Sequence, residues 1–69
     1  MNKQQAGLFD WVEFEREGGH WVRVTRVCLT YKDGRLPVWR DPGHRRPRVG
    51  DVLGMYHEGG AAYVVAPKA

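Results

Sequence analysis

The run HWVRVTRVCLTY, residues 20–31, constrains this chain more than any other stretch. Its β-branched and aromatic side chains suit a pleated surface and crowd the preceding turn of a helix. Its alternation also changes phase. Val22 and Val24 fall on even positions, whereas Val27, Leu29 and Tyr31 fall on odd ones. A strand keeps one buried face through such a change only if it carries an extra residue, so a bulge is expected at Thr25 or Arg26. Bulges bend long strands around the corners of small barrels.

Other segments follow the same logic. In LFDWVEFER, Val12 and Phe14 alternate with Glu13 and Glu15, as in a half-buried strand. Leu8, Trp11, Val12 and Glu15 also fit an i, i+3, i+4 face, which leaves a short helix over 8–16 as the alternative. Gly18-Gly19 supplies a turn, and Lys32-Asp33-Gly34 reads as a tight hairpin turn into a third strand, RLPVWR. Pro37 has no amide hydrogen, so that strand is expected at an edge or beginning after the proline. Val49-Gly50-Asp51 turns into VLGMYH, and Glu58-Gly59-Gly60 turns into AAYVVA.

The expectation is an all-β fold: a small five-stranded antiparallel barrel or rolled sheet, SH3-like or OB-like. The ending RVGDVLGMYHEGGAAYVV resembles the SH3-like pattern of a Gly-Asp turn entering a hairpin. Residues 8–69 read as a single domain and residues 1–7 as a polar, flexible N-terminus.

A chain of 69 residues forms one domain at most and buries roughly 60% of its unfolded surface. Cys28 is the lone cysteine, which rules out an internal disulfide and fits a reducing, cytoplasmic setting. Its neighbours Val27 and Leu29 mark it as a buried small hydrophobe. MNKQQAGLF lacks the apolar core of a signal peptide, and Ala61–Ala66 is the longest apolar run, far short of a membrane span.

Catalysis finds little support. There is no serine. Cys28, His20, His44 and His57 are eight, sixteen and thirteen positions apart along the chain, without the short ligand steps of structural metal sites. Glu13, Glu15 and Glu17, at every second position, read as the solvated face of a strand. No catalytic residue, metal or cofactor is expected.

The feature with a mechanism behind it is RDPGHRRPR, residues 40–48, whose local charge of four Arg against one Asp equals the chain's net +3. Arginine forks match phosphate oxygens in bidentate fashion. Trp39 precedes the cluster, and Tyr56 and Tyr63 are expected on nearby strands, where aromatic faces beside a basic groove suit single-stranded nucleic acid. The site read this way comprises Trp39, Arg40, His44, Arg45, Arg46, Arg48 and Tyr56. On that reading, replacing Arg45 and Arg46 leaves folding almost unchanged. The alternative is a protein-binding inhibitor or adaptor of the phage or mobile-element kind. It would dock on an acidic partner or use an exposed aromatic/Arg surface, because eight aromatics are more than so small a core can hold. A homodimer through an edge strand would use the same surplus.

Overall fold

The computed structural model describes residues 10–69. The expected flexible segment 1–7 lies outside the described residues. Five strands form a closed barrel: β1 (Trp11–Gly18), β2 (Trp21–Cys28), β3 (Leu36–Trp39), β4 (Val52–Glu58) and β5 (Ala61–Val65). Around the ring the order is β1-β2-β4-β5-β3, with β3 returning to β1. The all-β barrel expected from the alternation is the fold. Trp11 to Arg16 are strand, so the helical alternative for 8–16 fails wherever it can be inspected. No helix among the described residues is long and apolar enough to cross a membrane.

The core shows why alternation was the right signal. Val12, Val22, Val24, Val38, Leu53, Val64 and Ala66 are buried together, with Phe14, Val27, Leu36 and Met55 packed against them. A barrel this narrow is filled by small β-branched side chains, one from every second strand position. The phase change in β2 is resolved by a bulge: Glu13 faces Arg26, but Phe14 faces Val24, leaving Thr25 as the extra residue. Val22 and Val24 stay fully buried on one side of it, and Val27 rejoins the core on the other.

Several expectations need correcting. The strand over 20–31 stops at Cys28, which is half-buried, and Leu29 and Tyr31 beyond it are exposed. Lys32-Asp33-Gly34 is a turn, with Arg35 N–H donating to the Lys32 carbonyl at 3.0 Å, but it does not close a hairpin. β2 and β3 both pair with β1, on opposite sides, so residues 29–35 must cross over β1 to reach the next place in the ring. Arg35 clamps that crossover through bonds to Glu13 Oε2 at 2.9 Å and to the Thr30 carbonyl at 3.1 Å.

Pro37 is not at an edge either, because β3 sits between β1 and β5. Val38 N–H donates to Asp10 on the β1 side, so strand alternation turns the Pro37 nitrogen toward β5. It points there one residue before the first β3–β5 pair, Val38 with Val64, so no ladder bond is lost. That β3–β5 pairing is parallel, whereas the other four junctions are antiparallel as expected. The ring closes through short ladders, with two paired residues between β1 and β3 and two between β3 and β5.

Candidate functional site

Each core strand that carries valine inward carries an aromatic outward. Trp11 precedes Val12, Trp21 precedes Val22, Trp39 follows Val38, and Tyr63 precedes Val64, while Tyr56 follows the inward Met55. Strand pairing then sets these rings beside one another. Tyr56 faces Tyr63 directly across the β4–β5 ladder, with ring centroids 5.9 Å apart. Tyr63 continues to Trp39 at 6.4 Å, and Tyr56 continues the other way to His20 at 5.4 Å and on to Trp21 at 4.5 Å. Five rings thus run in a row across the outside of β3, β5, β4 and the start of β2. Trp39, Trp21 and Tyr56 are 53%, 48% and 43% exposed.

Gly54 makes room for the row. It pairs with Trp21 on β2, and a Cβ there would lie 3.0 Å from the Tyr56 ring, which leans over it. Beyond Trp39 the face deepens into a groove of about 430 Å³, lined by Trp11, Pro37, Val38, Trp39, Glu58 and Tyr63. Trp11 closes its far side and meets Tyr31 edge-on at 5.3 Å. The Tyr31 hydroxyl donates to Asp33, which holds the phenol proton on and raises its pKa.

The basic loop is arranged differently. It crosses the barrel end at which β3 and β5 finish and β1 and β4 begin. Arg45 places both terminal nitrogens on Asp51, at 3.0 Å each, and also donates to the Arg46 carbonyl at 3.0 Å. Arg46 makes a second fork, with Nε on Asp10 at 3.1 Å and a terminal nitrogen at 2.8 Å. Both guanidinium pKa values are raised, chiefly by these carboxylate hydrogen bonds. Asp51 is lowered, first by Arg45, against the opposing effect of burial, and further by the Arg48 backbone N–H.

His44 is also part of the scaffold. Its Nδ1 accepts from the Asp41 backbone N–H at 3.1 Å, and its backbone bridges to Lys68. Pro47 is buried, and Arg45 N–H donates to the Pro67 carbonyl at 2.9 Å. Among the described residues, only the side chains of Arg40 and Arg48, of the loop's four arginines, meet no acceptor. The expectation that Arg45 and Arg46 could be removed without touching the fold is therefore corrected: their forks hold the loop to Asp10 and Asp51.

Of the seven residues expected to form one site, Trp39 and Tyr56 share the aromatic face, joined through Tyr63. His44, Arg45 and Arg46 are built into the loop, and Arg40 and Arg48 remain exposed. Trp11 and Trp21 belong to the surplus of aromatics expected for an exposed binding surface, whereas sequence reasoning missed His20 and Glu58 as members of the face. The signal that finds the tryptophans is parity, since each stands next to a buried valine and so must point outward. His20 precedes β2, where parity gives no guidance, and Glu58 shares the parity of Tyr56 at the end of β4. Among the described residues no three His, Cys, Asp or Glu side chains come together in a way that could hold a metal ion. No protein-family model, curated protein or solved structure matches the chain.

Proposed function

We propose that this chain is a non-enzymatic binding module that holds a protein partner on its outer aromatic face. The observation that carries the reading is the unbroken row Trp21, His20, Tyr56, Tyr63 and Trp39 on the outside of a closed barrel. Tryptophan and tyrosine dominate interface hot spots because they desolvate a large area with few rotatable bonds. Here the strand ladders fix their backbones in advance, which lowers the entropy lost on binding. The proposed role is that of a small inhibitor or adaptor, of the kind phages and mobile elements carry. The proposed setting is the cytoplasm, where the Cys28 thiol stays reduced.

A second reading keeps the same face and changes the ligand. Rings spaced 4.5 to 6.4 Å apart, with Arg40 following Trp39 directly, also suit stacked bases of a single strand. Arg40 and Arg48 would then contact phosphate, and each would contribute about 0.7 to the salt slope. The experiment pairs affinity capture with oligonucleotide titration over a salt series. A stoichiometric partner lost in Trp39→Ala and Tyr56→Ala, but kept in Arg40→Ala/Arg48→Ala, is expected for protein binding. Salt-dependent oligonucleotide binding weakened by both sets of variants would replace it with the second reading. Self-association abolished by the tryptophan variant would make the partner another copy of this chain.

A further inference from the structure

The groove beside Trp39 differs from the rest of the face in one respect: a carboxylate lines it. Glu58 sits at the end of β4, paired with Ala61, and among the described residues its side chain meets no hydrogen-bond donor and no cation. Every other lining residue is aromatic or apolar. Trp39 and Tyr63 stand with their ring planes 54° apart, which makes two walls of an open corner, and Trp11 and Pro37 form the opposite side. At about 430 Å³ the space falls in the range of small-ligand sites, roughly 300–1,000 Å³.

We infer that this groove is a cation site for a methylated ammonium group, presented as a trimethyllysine side chain of the protein partner. The inference rests on the aromatic-face reading above. Ring faces carry negative quadrupole potential and attract a cation held within about 6 Å of their centroids. The Glu58 carboxylate supplies the complementary charge. What selects the methylated form is hydrogen-bond arithmetic. An unmodified ammonium brings three N–H donors and a guanidinium brings five, all of which give up water on entering, and side chains of the groove return only the Glu58 carboxylate and the Tyr63 hydroxyl. Donors that lose water and find no partner are costly. A quaternary ammonium has no N–H to satisfy, so its charge is met by the rings and its methyl groups by the ring faces and Pro37. The chain's net charge of +3 opposes any cation, which makes the local Glu58 contribution decisive.

The test follows the tryptophan indole and Glu58 backbone resonances of the full chain. The probe is the acetylated, amidated trimethyllysine residue, titrated beside its neutral tert-butyl isostere and beside unmodified lysine. Saturable shifts confined to Trp11, Trp39, Tyr63 and Glu58 are expected, at least tenfold tighter for the trimethylammonium than for either control. Glu58→Gln, an exposed and isosteric change, is expected to weaken the probe about fivefold, and Trp39→Ala to abolish it. Equal binding of the neutral isostere would overturn the cation site and leave an apolar groove. Absence of saturation would overturn it outright. A single-stranded oligonucleotide that moves these resonances when the probe does not would also overturn it. If the probe shows no selectivity while face variants still lose their partner, the cation site alone fails. If the probe binds but face variants keep their partner, the partner-face reading fails and the groove stands.

Discussion

The barrel's outer surface has two regions built by one rule and finished in opposite ways. On the β1–β2 hairpin the outward positions between Trp11 and Trp21 include Glu13, Glu15, Glu17 and Arg23, which form ion pairs. Arg23 bridges Glu15 and Glu17, and Glu13 holds Arg35 from the crossover. On β4, β5 and β3 the outward positions are rings. Inward, both regions present the same valines. Folding needs only the inward set, so the outer residues were free to differ. The hairpin spends its charges on itself, and the other face leaves its apolar area uncovered. The teaching is that exposed charge here marks a finished surface, and exposed aromatic carbon marks an unfinished one.

The largest expected effect erases the comparison. Val24→Ala opens a cavity beneath both regions and should cost about 2–3 kcal/mol. That is a large share of the stability of a 69-residue domain, roughly 3–10 kcal/mol. Thermal or urea unfolding should show a much lower midpoint, and an unchanged midpoint would mean the valine cluster is not the core.

Next comes the direct contrast between regions. Trp39→Ala or Tyr56→Ala should weaken partner binding by about 2 kcal/mol, close to thirtyfold, with stability within about ±0.5 kcal/mol. Glu15→Ala, on the hairpin, should leave binding alone, since exposed ion pairs contribute roughly 0–1 kcal/mol to folding and nothing to a distant face. Equal losses from both regions would remove the distinction.

The end loop sharpens the contrast in a different way, because two of its four arginines, Arg45 and Arg46, are placed as clamps. Arg46→Ala strips Asp10, only 7% exposed, of its partner, and should lower the unfolding midpoint. Arg40→Ala should not. Acid should act on the same loop through Asp51. Its folded pKa is depressed, so its contribution is complete above the ordinary carboxylate value of about 3.9 and disappears as pH falls through the lower folded value. Unfolding midpoints measured from neutral pH downward should fall off in that acid range, and Asp51→Asn should remove this part of the decline.

The smallest effect is the most local. Gly54→Ala places a methyl 3.0 Å from the Tyr56 ring, which must swing aside. The barrel should fold normally. Partner affinity should drop about threefold to tenfold, because the row is broken while every ring is kept. Affinity equal to the parent would show that Tyr56 is not held in place by the space over Gly54.

Particular residues show how far the sequence could be read. The Thr25 bulge was legible because a two-residue period tolerates no silent slip, so a phase change must appear as an extra residue. The Glu58-Gly59-Gly60 hairpin was legible because both glycines take positive φ, at 60° and 86°. The crossover at residues 29–35 was not legible. A three-residue turn signal says that the chain reverses, and the same signal serves whether the next strand pairs with the last one or passes over a third. The fastening of Arg46 was not legible for a related reason: Asp10 lies thirty-six positions away, and composition within a window cannot see it.

By itself, then, the sequence determined which side chains could face inward, because pleat parity is local and the valines declare it. It also determined that Trp11, Trp21, Trp39 and Tyr63 must face out, since each stands beside one of those valines. Only the tertiary structure decided which strands are neighbours, and neighbours decide everything at the surface. Closing the ring through a parallel β3–β5 pair put Trp39 beside Tyr63 and brought Trp11 and Glu58 to one groove. It also carried Asp10 to the loop and turned two of the four arginines from a candidate grip into a fastening. The physical reason is range: parity acts over two residues, whereas pairing is a choice among distant strands made by the burial of the whole core.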